Sequence, residues 1–160
     1  DPRLIGAAQE ALNQAPGLFT AIGRQALHEN EALQRLIKTR SWREARAALE
    51  ALMTDLAIAA YAAPPGGWEA VEAQVRAGID AEATADAARI EAESALSHGH
   101  ARLAIDILAS FTIAELPLAV ALPLVRVREQ AMERLVQLGH GSSDALATIQ
   151  AQRMMLEQIA

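Results

Sequence analysis

The stretch Ile90–Leu138, IEAESALSHGHARLAIDILASFTIAELPLAVALPLVRVREQAMERLVQL, decides how the rest of the chain reads. Leu103, Ile107, Leu108 and Phe111 recur at helical spacing, which gives the segment after His98-Gly99-His100 an apolar face. Gly99 stands where the helix before it must stop, because glycine enters the left-handed conformation at little steric cost. Pro117 bars further helix by removing an amide donor and biasing Leu116 toward extended backbone. From Leu116 to Leu124 the nine residues carry no charge and read as an apolar strap. Pro123 suits the first turn of a new helix. Leu124, Val127, Ala131, Leu135 and Leu138 then form the next stripe, which Gly139 ends.

Toward the N-terminus, Leu4, Ile5, Ala8, Ala11 and Leu12 predict a short helix closed by Pro16-Gly17. A second carries Leu18, Ile22, Ala26, Leu33, Leu36 and Ile37, with an irregularity around His28-Glu29-Asn30. Ser41-Trp42-Arg43-Glu44 has the form of a capping box, in which serine and glutamate satisfy each other's backbone amides. The helix it opens buries Ala45, Leu49, Leu52 and Leu56 and runs to about Ala62. Pro64-Pro65-Gly66-Gly67 is a hard stop. Trp68, Val71, Val75 and Ile79 begin a long helix to Leu96, flexed near Gly78, and a linker over 80–93 is its rival. Beyond Gly139, Gly141-Ser142-Ser143-Asp144 caps a last helix bearing Leu146, Ile149, Leu156 and Ile159.

One pattern recurs. Leu36–Ser41 followed by Ala45, Ala48, Leu49 and Leu52 has the layout of Ala95–His100 followed by Ala104, Ile107, Leu108 and Phe111. A looser copy begins at Leu135. Such self-similarity is the mark of stacked helix-hairpin units. The expected fold is therefore all-α: a single domain, 1–160, forming a bundle of about six helices built from repeated hairpins.

Bulk properties exclude several function classes. The 160 residues can bury about 70% of the surface that the unfolded chain exposes. With 52% hydrophobic but only 3% aromatic residues, the core is aliphatic and stacking platforms for single-stranded nucleic acid are scarce. A net charge of -6 opposes a nucleic-acid partner, since phosphate neutralisation needs clustered cations. Arg35, Lys38, Arg40, Arg43 and Arg46 read as a solvated helix face. The absence of cysteine rules out disulfides and thiolate chemistry. No run is long and apolar enough for a membrane span. No signal peptide opens the sequence, and a start at Asp1-Pro2 is compatible with a leader having been removed.

Three features together resemble the YfdX family of bacterial envelope stress proteins. They are Ala92–Leu108 with Gly99 and Ala104, the strap Glu115-Leu116-Pro117-Leu118, and Ala131–Ile149 with Leu135, Gly139 and Ala145. The likeness spans about residues 70–152 and, more loosely, 32–62. It implies an all-helical, periplasmic homo-oligomer linked to stress tolerance, with no catalytic motif to carry over. The break at 64–67 and Pro123 depart from the family pattern.

Candidate chemistry is sparse, and neither an enzymatic activity nor a cofactor is expected. His98, His100 and His140 occupy two turns; if these met, three imidazoles could hold a divalent metal, and otherwise they are exposed turn residues. The acidic ladder of Asp80, Glu82, Asp86, Glu91 and Glu93 lacks the desolvation that acid-base work requires. Pro64–Gly67 lacks the lysine of a phosphate loop. Trp42 and Trp68 either line one end of an apolar groove for a small hydrophobic ligand or partner helix, or pack in the core. The strap, with Leu116, Leu118, Val120 and Leu122, is the second candidate surface, because uncharged chain of this length needs cover. The expectation is a non-enzymatic binding protein, periplasmic if a leader was removed. The alternative is a cytoplasmic helical adaptor or chaperone-like module with a protein partner.

Overall fold

The computed structural model describes residues 1–14 and 16–160, with all their side chains except those of residues 12 and 16–20. The roles expected for Leu12 and Leu18 lie outside the described side chains. Among the described residues the chain is 83% helical and has no strand. The helices are α1 Pro2–Asn13, α2 Pro16–Lys38, α3 Trp42–Thr54, α4 Leu56–Tyr61 and α5 Gly67–Ser97. They continue with α6 Ala101–Leu108, a 3₁₀ turn at Ile113–Glu115, α7 Leu118–Gln137 and α8 Ser143–Ile159. The all-α expectation holds. Among the described residues there are eight α-helices, not about six, partly because Asp55 divides the segment expected to run from Trp42 to Ala62. Its Oδ1 accepts from the amides of Ala57 at 3.0 Å and Ile58 at 3.2 Å, so the carboxylate opens α4 at the point where α3 ends.

The packing divides the chain into two compact units, Asp1–Ile79 and Asp80–Ala160, where the sequence reads as one domain. The division falls inside α5, which is continuous through it. In the first unit Ala26, Leu33, Leu49, Leu52, Ile58, Ala59, Trp68 and Val75 form one buried cluster. In the second, Ala85, Ala92, Ala104, Leu108, Leu124, Val125 and Ala131 form another, with α7 against both α6 and α8. Many of these positions are alanine, whose small side chain lets helix backbones approach closely.

Neither expected irregularity interrupts a helix. α2 passes unbroken through His28–Asn30, and α5 takes in both Gly78 and the whole of 80–93. Gly78 serves packing instead: a Cβ there would lie within 2.7 Å of three atoms of the Trp42 indole, so the ring rests directly on the α5 backbone. The strap is largely helix too. α7 starts at Leu118 after Pro117, and Pro123 lies inside it. The missing amide would have paired with the Ala119 carbonyl, and Ala119 is exposed, so water can take that place.

The recurrent pattern corresponds to one turn made three times. Arg40, Gly99 and Gly139 have φ of 58°, 82° and 74°. In each turn two bonds close the helix end: Arg40 N to Ile37 O and Ser41 N to Leu36 O, Gly99 N to Leu96 O and His100 N to Ala95 O, Gly139 N to Val136 O and His140 N to Leu135 O. This is the Schellman arrangement. The helices that follow have 13, 8 and 17 residues, so a common turn is combined with unequal units. The turn also displaces the expected capping box. Ser41 makes no side-chain cap bond; its hydroxyl is shared with that of Thr39 at 3.1 Å.

On α6 the buried face is Ala101, Ala104 and Leu108, not the expected line through Leu103, and Leu103 is 51% exposed. The two alanines let α6 lie close against its neighbours, which turns the bulkier Leu103 outward.

Candidate functional site

The first unit has an open cleft of about 530 Å³ between the start of α1, Met53 of α3 and the first turns of α5. It exists because of the punctuation at Pro64–Gly67. The Gly67 amide donates to Pro64 O at 2.9 Å, and Gly67 takes φ +77°, so the chain reverses tightly and α5 begins at once. That places Trp68 at the second position of α5, 6% exposed. Its indole Nε1–H donates to Ala59 O of α4 at 2.8 Å. A buried indole with its one donor satisfied is a rigid wall with no unmet polar need. Pro2, Ile5, Met53 and Ala63 complete the apolar lining, and the carboxylates of Asp1, Glu69 and Glu72 stand beside it. Asp1 Oδ1 accepts from the Arg3 amide at 3.0 Å, in the first turn of α1.

Trp68 therefore lines the cleft, whereas Trp42 does not. Trp42 lies on Gly78, ten residues further along α5, about 15 Å at the rise of an α-helix. Close spacing of the two indoles could not be read from sequence because it depends on how α3 lies against α5.

The strap residues turn inward or lie half-covered. Val120 is buried in the core of the second unit and Leu116 packs against it, while Leu118 and Leu122 are half-buried on α7. Their own unit supplies most of the cover that an uncharged run of this length needs.

The three histidines do not converge. Among the described residues no three His, Asp or Glu side chains are placed to hold a metal ion. His98 Nδ1 is 2.7 Å from Ser94 O in the helix that its own turn closes, and a carbonyl can only accept, so Nδ1 carries the proton there. His100 stands at the start of α6 beside a shallow depression with Leu103, Leu135 and Leu138, and His140 is exposed after α7. Of the acidic ladder Asp80, Asp86, Glu91 and Glu93 are exposed and Glu82 is half-buried; Arg89 binds Asp86 at 2.9 Å and Glu93 at 2.6 Å. These two hydrogen bonds, Asp86 first, raise the Arg89 pKa above its ordinary value.

Two polar features of the second unit escape sequence reading. Arg128, half-buried on α7, donates to the carbonyls of Leu108 and Phe111 at the end of α6. Burial lowers its pKa, and it has no ion pair among the described residues. The carbonyls at a helix C-terminus suit such a cation. Glu129, 8% exposed, binds Arg153 of α8, which also binds Glu157; Arg126 reaches Glu157 at 3.1 Å. The hydrogen bond to Glu129 is the main cause of the raised Arg153 pKa. In the sequence these residues sit among other charged positions, with no local sign of which neighbour each will meet.

Comparison with family models, with curated proteins and with solved structures finds no match to this chain.

Proposed function

We propose that the protein is a non-enzymatic binding protein of the bacterial stress-response kind that its YfdX-like features imply, and that it holds a small apolar ligand in the cleft beside Trp68. The cleft carries this reading. Its volume of about 530 Å³ falls in the range of about 300–1,000 Å³ usual for small-molecule sites, and an apolar lining with a few polar groups at its margin is their usual character. In this reading the protein works in the envelope and associates with itself. The test is binding of the neutral fluorophore N-phenyl-1-naphthylamine, which brightens in apolar surroundings. The wild type binds it, and Ala63→Trp, which fills the cleft from an exposed loop position, abolishes binding without loss of helicity. Retained binding in that variant refutes the assignment.

A second reading, a helical adaptor for a protein partner, is favoured by a separate observation. Leu103 and Leu138 are 51% and 58% exposed around the depression between α6 and α7, and exposed apolar residues grouped at one place mark contact surfaces. Sedimentation of the wild type against Leu103→Lys/Leu138→Lys separates the two readings: self-association that the variant loses assigns this surface to copies of the chain and refutes the adaptor reading.

A further inference from the structure

The geometry points to a lipophilic amine as the ligand class of the Trp68 cleft, a small apolar body carrying a positive charge; this rests on the reading of that cleft as a ligand site.

The argument is one of charge complementarity at an apolar surface. Glu69 and Glu72 are one turn apart on α5, so their carboxylates share a face of the helix beside the cleft. Both are exposed, and neither has a basic partner among the described residues. Asp1 adds both a carboxylate and an α-amino group, which offset one another, and no Lys, Arg or His lines the cleft among the described residues, so the charge of Glu69 and Glu72 stands. The N-terminus of α5 would by itself favour an anion, but Glu69 already occupies its first turn and Glu72 adds a second negative charge. The balance at the mouth is therefore negative. Beneath it Trp68 has spent its only donor on Ala59, so its indole presents ring surface alone. Aromatic and aliphatic walls under unpaired carboxylates match a molecule whose body is apolar and whose end is an ammonium group. A carboxylate-bearing molecule of the same shape meets repulsion at the same place.

The probes are three molecules with one body: 3-phenylpropylamine, 3-phenylpropanol and 3-phenylpropanoate. Each is titrated into the whole chain at low salt, with two-dimensional NMR following the Trp68 indole N–H and the Met53 methyl, which also registers weak binding. An exposed ion pair changes affinity by a factor of about two to three, so two carboxylates are expected to favour the amine over the alcohol about fivefold. The carboxylate probe binds most weakly, and added salt narrows the spread. Glu69→Gln/Glu72→Gln brings the amine down to the affinity of the alcohol and leaves the alcohol unchanged. Equal binding of amine and alcohol to the wild type overturns the ligand class while the cleft survives as an apolar site. Failure of all three to move either signal overturns both.

Discussion

Replacing Gly78 by alanine sets two effects of opposite sign against each other. Gly78 lies well inside α5, where alanine is the better helix former by about 1 kcal/mol. On propensity alone Gly78→Ala stabilises. The tertiary structure says otherwise, since the new Cβ would come within 2.7 Å of three atoms of the Trp42 ring. An indole fused to the first turn of α3 is not the loose end of a flexible chain, so either the ring or the helix must shift. Overpacking of this kind costs about 1–3 kcal/mol. The net expectation is a loss of about 1 kcal/mol, equivalent to a fall of about 4–8 °C in the melting temperature of a unit this size. Urea unfolding followed by tryptophan fluorescence is the assay, because both tryptophans belong to the first unit. The decisive comparison is the same substitution in a Trp42→Ala background. With the ring gone, Gly78→Ala should gain about 1 kcal/mol, the helix-propensity term alone. A gain in the wild-type background as well would refute the packing argument.

Other expectations follow from the turns and the buried arginine. Gly99→Ala should cost about 1–2 kcal/mol, because φ of 82° is left-handed and penalises a Cβ. Arg40→Gly should gain up to about 1 kcal/mol, less what the arginine's own interaction contributes; thermal melts of both variants check the pair. Ser41→Ala should cost under about 0.5 kcal/mol, because Ser41 makes no cap bond, and a loss of about 1 kcal/mol would restore the capping box. Arg128→Met should cost about 1–3 kcal/mol by leaving the Leu108 and Phe111 carbonyls short of a donor. That loss is read as a lower urea midpoint in circular dichroism.

Much of the secondary structure was legible from spacing and punctuation. Trp68, Val71 and Val75, Leu124, Val127 and Ala131, and Ala45, Leu49 and Leu52 are buried as their periodicity requires. Gly99, Pro117 and Gly139 end or open helices where they stand. Misreadings cluster where two local rules compete. Ser41 fits a capping box, but the preceding helix closes through the Ser41 amide first. Pro123 fits a helix start, but the helix had begun five residues earlier under Pro117. Asp55 reads as one more polar position, although its side chain can cap and so divide a helix.

For the candidate site the residue types were visible and their company was not. The sequence leaves Trp68 with two places, a groove wall or the core; whether it meets Trp42, whether the three histidines meet and what covers the strap all depend on how the helices are placed. What the chain alone determined is that helices form, where most of them stop and which faces are apolar, because these depend on residues three or four positions apart. Only the tertiary structure decided which face meets which. Contacts such as Trp42 on Gly78, Arg128 at the end of α6 and Glu129 with Arg153 join positions 17–36 residues apart, and no local preference encodes the distance between two helices.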